Sequence, residues 1–494
     1  MIQTNDNQVQ AAPGIDRSKA VAVSPSTPQS LYAKRKQIYA KLAHGNFRKL
    51  KWAALFILLG IYYFIPWIRW DRGPDAPSQA VLVDFENARF YFFFIEIWPQ
   101  EVYYITGLLI LAALGLFLVT ALFGRVWCGY ACPQTIWTDL FIAIERFFEG
   151  DRNARIKLDR AKWDFNKIWR KTAKHIVWIL VAAATGGAWI LYFHDAPTIF
   201  RDFLIGHAPI TSYVFMGLLT FTTYTLAGYM REQVCTYMCP WPRIQAAMID
   251  DKALNVTYRY DRGEPRGAHK KNATWEGRGD CIDCRQCVAV CPTGIDIRDG
   301  LQLECIGCAL CIDACNEIMD KIDRPRGLIA YDTDANIERR QKGAKEKFEL
   351  IRARTVIYAI LFAAVGSFML FGLLNRSTLD MNVQRDRIPN FVELSDGSIR
   401  NGYQIKVLNK TPQVRTLDLT LDKFQNPVLR IVGQDNPQTI SVPANQTIDY
   451  KVYVALEDVS GLQVREGFNF VLEDTQTNEK VLTPSLFITG KTEK

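Results

Sequence analysis

Histidine is scarce in this chain, five residues in 494, and no Cys-x-x-Cys-His run occurs, which excludes covalently attached haem. No Gly-x-Gly-x-x-Gly fingerprint follows a strand pattern, so direct oxidation of a nicotinamide has no support. The eight methionines form no clustered copper-binding tract. Acidic residues are missing between Asp16 and the first long apolar run, and cysteine is missing from both ends of the chain. All twelve cysteines lie between Cys128 and Cys315, in pairs or four-cysteine runs and never singly. Secreted disulfide frameworks scatter cysteines through small loop-rich domains, so this clustering excludes such a scaffold and points to metal ligands in a reducing compartment. Residues 1–30 are polar, lack the apolar core of a cleavable leader and are expected to be disordered.

What is present is a set of five uncharged apolar stretches, 52–68, 102–124, 176–193, 208–230 and 355–375. Each approaches the roughly 20 residues needed to cross a hydrocarbon core. Trp52, Trp67 and Trp70 flank the first in the manner of an interfacial belt. The net charge of +8 does not indicate nucleic acid, because the basic residues crowd beside these stretches. Lysine and arginine are dense before the first stretch, in 125–171 and ahead of the fifth, whereas 71–101 holds only Arg72 and Arg89 and 195–207 only Arg201. The positive-inside bias therefore predicts a multi-pass bacterial inner-membrane protein. Its N-terminus and the segments 125–171 and 231–354 are expected in the cytoplasm, and its C-terminal portion in the periplasm.

Within the second of those segments, Cys281-x2-Cys284-x2-Cys287-x3-Cys291-Pro292 is followed by Cys305-x2-Cys308-x2-Cys311-x3-Cys315. This is the bacterial ferredoxin spacing, in which three close thiolates cap one cubane and the fourth crosses to the other cluster. The expected ligand sets are Cys281, Cys284, Cys287 and Cys315 for one [4Fe–4S] cluster, and Cys305, Cys308, Cys311 and Cys291 for the second. Zinc is the competing reading of paired Cys-x2-Cys steps, and two tandem four-cysteine runs weigh against it. Asn316 stands where the first run has proline, a departure expected to alter the local turn without removing a ligand.

Two further motifs, Cys128-Gly129-Tyr130-Ala131-Cys132-Pro133 and Cys235-Thr236-Tyr237-Met238-Cys239-Pro240, close the second and fourth apolar stretches. Each follows a two-span hairpin, so 50–140 and 172–248 read as an internal repeat. In helical geometry cysteines four apart share a face, and the proline interrupts the hydrogen-bond ladder. Brought together, the pairs present four thiolates, which prefer Cu(I), zinc or iron–sulfur centres to hard cations. Redox dithiols, a copper site and a further cluster site all fit that spacing. His194 and His207, with Asp195 and Asp202, flank a short loop; a copper docking place is one reading of them, and an interfacial structural role is the favoured one. Beyond residue 375 the pattern alternates, as in Tyr403, Ile405 and Val407, or Phe468, Phe470 and Leu472. About seven short strands are expected there, in an immunoglobulin-like sandwich without cysteine or histidine.

The order of five spans, two Cys-x-Tyr-x-Cys-Pro motifs, tandem ferredoxin runs and a C-terminal β domain resembles the FixG/RdxA/CcoG family over roughly residues 30–494. The resemblance implies an α-helical polytopic membrane protein with five transmembrane helices, an inserted 2[4Fe–4S] ferredoxin domain and a C-terminal all-β immunoglobulin-like sandwich. The domains are expected as a basic N-terminus (1–50), a four-helix membrane domain (51–250), a ferredoxin-like domain (251–352), a fifth span (353–375) and a periplasmic domain (376–494). The resemblance further implies reduction of Cu(II) to Cu(I) for assembly of cbb3-type cytochrome c oxidase. Cys128, Cys132, Cys235 and Cys239 would then act on copper as substrate or transient ligand. Oxidase assembly factors, copper carriers, and a cytoplasmic electron donor or quinol would be the partners. Two other readings stand beside it: a quinol-oxidising conduit similar to NapH-type membrane subunits, and a non-enzymatic assembly scaffold.

Overall fold

The computed structural model describes residues 37–490, apart from 74–75, 270–273, 425 and 435–437. The expected disorder of residues 1–30 and a turn placed at 436–437 lie outside the described residues. Among those described, five helices are long and apolar enough to cross a membrane: Asn46–Trp67, Pro99–Phe123, Phe165–Ile190, Ile210–Met230 and Ala353–Leu374. They coincide with the five apolar stretches. Their packing uses small residues, as expected where lipid removes the hydrophobic drive between helices. A Cβ on Gly186 of the third span would lie 2.7 Å from the Met216 carbonyl of the fourth. The fifth span lies along the second, with Phe362 filling the space beside Gly115 and Tyr358 facing Phe117.

Each of the two repeated motifs is followed by a helix that turns back, Pro133–Glu149 after the first and Trp241–Met248 after the second. In the longer one, Ile136 packs on Leu55 and Leu59 of the first span, and the Trp137 indole donates to Thr185 of the third. Its far end carries Glu145 and Glu149 among Arg155, Lys171, Lys174 and Arg231. The helix therefore ends in a buried cluster of ion pairs, and the cysteine motif sits at its other end. Irregular backbone within a membrane is tolerated where protein surrounds it.

The segment between the first two spans, expected as a loop, holds a three-stranded antiparallel sheet: β1 (Val81–Asp84), β2 (Arg89–Phe92) and β3 (Ile95–Ile97). The cysteine-rich insert is bracketed by β4 (Asn255–Tyr258) and β5 (Ile329–Asp332), paired antiparallel. The insert caps the first span. Gly45 offers no side-chain cap, and the Asp313 carboxylate accepts from the Phe47 and Arg48 amides instead, at 3.3 and 2.8 Å. Orphan amides at a helix start are satisfied by such an anion. A Cβ at Gly45, whose φ is +156°, would overlap that carboxylate.

The C-terminal region is a two-sheet sandwich with nine strands where about seven were expected. These are β6 (Leu379–Arg385), β7 (Val392–Glu393), β8 (Ile399–Asn409), β9 (Arg415–Leu421), β10 (Val428–Ile431), β11 (Thr439–Val442), β12 (Gln446–Leu456), β13 (Arg465–Asp474) and β14 (Lys480–Ile488). One sheet runs β10-β12-β8-β6 with β7 on β8, and the other β11-β9-β13-β14. The additional strands are short or lie at edges, where one face is wet and alternation is weak. The long strands alternate as read: Tyr403, Ile405, Val407, Val452, Val454, Phe470 and Leu472 are fully buried between the sheets. The Tyr403 hydroxyl crosses to the Leu486 carbonyl of the other sheet at 2.9 Å.

Candidate functional site: two cysteine-lined cavities and a thiol quartet

The two four-cysteine runs fold alike. Asp283 and Arg285 in the first, and Gly307 and Ala309 in the second, occupy equivalent positions and all take left-handed φ between 53° and 67°. Alternating left- and right-handed residues turn successive amides inward into the kind of concavity that receives an iron–sulfur anion. Each run then enters a helix, Gln286–Val290 in the first and Leu310–Lys321 in the second. The unequal lengths follow from the sequence. Cys291 precedes Pro292 and is forced extended, with ψ 122°, which ends the first helix. Asn316 allows the second to continue, and its side chain accepts from the Gly327 amide at 2.9 Å.

These loops line two small cavities of equal size. Cys281, Cys284, Cys287 and Cys315 line one, and Cys291, Cys305, Cys308 and Cys311 line the other, with Cys287 on the wall between them. The remaining lining is largely apolar, including Ile295, Ile297 and Ile306 in one cavity and Ile318, Met319 and Leu328 in the other. Burial pushes the Cys287, Cys305 and Cys315 thiols up to about 12, and Cys311 is raised by burial and further by its neighbours Cys308, Cys305 and Cys291. Thiols spread around a shared void suit a polynuclear cluster, whereas tetrahedral zinc needs its ligands drawn to one point.

The two membrane motifs meet beside the second cavity. Cys128 and Cys235 pack on the apolar group of Ile306, Cys308, Leu310 and Ala314, together with Cys311. Burial pushes the Cys128 thiol up to about 12, and Cys132, Cys235 and Cys239 press the same way, while Arg125 opposes them. Burial likewise raises Cys235 to about 12, with Cys132 and Cys239 adding to it. The four thiols are thus electrostatic neighbours. The expectation that each pair shares one helix face is corrected. Cys128 lies in the short helix Val126–Tyr130, but Cys132 is extended, with ψ 128°. Cys235 lies in a π-helical turn, Val234–Met238, and Cys239 is extended, with ψ 123°. The following prolines disfavour helical backbone at the residue before them. The copies also differ in exposure: Tyr130 is buried, whereas Tyr237 and Cys239 are exposed.

Several residues that hold this arrangement carried no signal in the motif spacing. The Arg125 guanidinium donates to the carbonyls of Gln302, Leu303 and Cys305 in the insert and of Pro242 after the second motif, binding all three segments. The Tyr130 hydroxyl donates to the Cys308 carbonyl, and the Tyr331 hydroxyl to that of Gly307. A Cβ on Gly129 would meet Ile306 O, Gly307 O and Cys308 Cα, each at 3.0 Å. Gln245, fully buried, accepts from the Cys128 thiol at 3.3 Å and donates to Thr120 at 3.2 Å. An arginine stands shortly before each motif, Arg125 and Arg231, and was the one available sequence clue. Away from this centre, Asp195 caps the helix Ala196–Ile205 and pairs with Arg69, and His194 meets the Ser212 hydroxyl at 3.3 Å. Both fit the structural reading.

Three protein-family models match the chain: a 4Fe-4S binding domain over residues 105–150, a 4Fe-4S dicluster domain over 230–334, and the IG-like fold at the C-terminal of FixG over 369–490. The dicluster match begins upstream of the expected insert and takes in Cys235 and Cys239. Nitrogen fixation protein FixG of Rhizobium meliloti is 50% identical over 482 residues, 91% of this chain and 92% of that protein. Protein RdxB of Cereibacter sphaeroides is 52% identical over 437 residues, 87% of this chain and 91% of its own. A solved structure of a FixG-related protein from Vibrio parahaemolyticus aligns with 23% of this chain and 99% of its own at 23% identity, with a TM-score of 0.21.

Proposed function

Because the chain belongs to the FixG/RdxA family and is an iron–sulfur electron-transfer protein of the membrane, we propose that it reduces Cu(II) to Cu(I) at the thiol quartet Cys128, Cys132, Cys235 and Cys239. In this reading Cys281, Cys284, Cys287 and Cys315 hold one [4Fe–4S] cluster, and Cys291, Cys305, Cys308 and Cys311 hold the other. Bound there, the clusters supply one-electron storage and transfer. The cysteine insert faces the cytoplasm and the β-sandwich the periplasm of a bacterial inner membrane, as the lysine and arginine distribution argues. The cuprous product serves assembly of a cbb3-type cytochrome c oxidase, with copper carriers and assembly factors as partners.

The observation that carries the reading is the packing of Cys128 and Cys235 on the wall formed by Ile306, Cys308 and Cys311. The same residues line the second cavity, so a copper ion at the thiols would lie close to the stored electron. Thiolates prefer Cu(I) to Cu(II), so ligation favours the reduced product. Arg125, Tyr130 and Gly129 hold the cavity loop against the first motif and keep that separation constant. Gln245 orients the Cys128 thiol.

Anaerobically purified, chemically reduced protein mixed with Cu(II) is expected to give a cuprous-chelator signal that disappears when the four cysteines are replaced by serine. If the serine variant reduces copper normally, the quartet is not the copper site. If the unaltered chain reduces none yet an oxidase still requires it, the scaffold reading replaces this one.

A further inference from the structure

Four aromatic residues form a polar cluster at the end of an apolar groove in the membrane-spanning surface. His175 Nδ1 lies 3.1 Å from the Tyr224 hydroxyl, which lies 3.2 Å from that of Tyr229. The His175 ring stacks on Tyr229 with 5.8 Å between centroids, and Trp178 meets it edge-on at 5.2 Å. Tyr224 begins a π-helical segment, Tyr224–Met230, in the fourth span. Such bulges are uncommon and gather at functional sites. From Tyr224 a shallow, open groove runs between the third and fourth spans, lined by Ile179, Ala183, Met216, Gly217 and Phe221. Ile179 and Phe221 are exposed, so the groove opens toward lipid.

We propose that this groove binds an isoprenoid hydroquinone, its ring at His175 and Tyr224 and its tail along Gly217 and Ala183. The inference rests on the electron-transfer reading above and supplies its donor. At the edge of the span, the imidazole and phenols supply hydrogen-bonding groups beside the apolar lining of the groove. Only a lipid-soluble molecule with a hydrogen-bonding head and a hydrocarbon tail complements both ends of the groove. A hydroquinone is such a molecule, and it is a reductant. Its oxidation breaks two O–H bonds and leaves the quinone. His175 takes one proton, and the other leaves through the Tyr224–Tyr229 hydroxyl pair. The two electrons would be taken up singly by the iron–sulfur clusters that the eight insert cysteines would hold. The cluster abuts the second motif: the Arg231 guanidinium lies 5.3 Å over the Trp178 ring, four residues before Cys235.

The test uses the full chain in phospholipid nanodiscs, irradiated with an azido-benzoquinone carrying a decyl tail. Cross-links are expected within 175–183 and 216–224, suppressed by unlabelled decyl-hydroquinone but not by excess lipid. Gly217 has open space beside it, so Gly217→Trp fills the groove. That change and His175→Gln should each raise the competitor concentration for half suppression by about tenfold, the equivalent of one lost buried contact. Labelling spread evenly over lipid-facing helices, or competed equally by lipid, overturns the proposal. Should the variants fail to fold, as judged by iron content, the competition map of the unaltered chain decides alone. Copper reduction by the unaltered chain that has been reduced and then freed of excess reductant is read in parallel. Its absence would sink the copper reading and leave the binding result standing.

Discussion

The hydroxyl of Tyr130, the central residue of the first membrane motif, donates to the carbonyl of Cys308 at 3.1 Å. The bond ties the thiol quartet to the loop that lines the second cysteine cavity. Tyr130→Phe leaves that carbonyl without its partner in a buried place, a loss of about 1–3 kcal/mol. The expected result is a lower unfolding temperature with full iron content and a shifted midpoint potential for one cluster only, read by redox-poised EPR. Two unchanged potentials would show that the bond does not reach the electronic environment of the cavity.

Gly129→Ala tests the same contact by crowding. The added methyl meets three insert backbone atoms at 3.0 Å, and backbone cannot swing aside as a side chain can. Overpacking of this kind costs about 1–3 kcal/mol. Copper reduction is expected to fall by more than tenfold while iron content stays near normal, measured together on one preparation.

Removing ligands should separate the two cavities. Triple serine replacement of Cys281, Cys284 and Cys287 is expected to halve the iron and labile sulfide and to preserve one EPR signal. Replacement of Cys305, Cys308 and Cys311 should also halve the iron and abolish copper reduction, because that cavity adjoins the quartet. Zinc in place of iron in the unaltered protein would refute the cluster assignment altogether.

Lys51, only 2% exposed, lies 3.8 Å from Asp139, and its charge bears on both Cys235 and Cys308. A nearby cation stabilises an added electron. Lys51→Met is therefore expected to lower the potential of the cluster in the second cavity, measured by the same titration. An unchanged potential would mean that the ammonium acts on Asp139 alone.

Asp139 gives a pH prediction. Burial disfavours its charge, but Lys51 and Arg48 outweigh that effect and hold its carboxyl below the ordinary range. A carboxyl depressed in the fold stabilises it above the unfolded value of about 3.9 and ceases to do so as pH falls through the folded value. Thermal stability in nanodiscs should hold near neutrality and decline only below about pH 4. Asp139→Asn should be less stable at neutral pH and flatter toward acid.

Features written as local spacing are legible in the sequence itself. The ferredoxin steps, the duplicated Cys-x-Tyr-x-Cys-Pro motif and the five apolar stretches each depend on residues close along the chain, and each reappears in the fold. What escapes such a reading depends on distant partners or on backbone form. Asp313 caps a helix more than 250 residues away in sequence, and Gln245 finds Cys128 only after the repeat has folded. The prolines at 133 and 240 read as ladder breaks, yet their stronger effect is to make Cys132 and Cys239 extended and so split each pair between two backbone geometries. The sheet of β1–β3 stays hidden because its strands are three or four residues long, too short for alternation to register.

The second span is gripped at both ends. Arg125, just past one end, holds insert carbonyls, while Glu101, buried at the other, pairs with Lys410 of the sandwich at 2.9 Å and with Arg376 at 3.4 Å. Its 25 residues make a rod of about 37 Å. A load placed on the sandwich by a docking protein would therefore travel lengthwise through one stiff member to the loop around Cys305 at its far end.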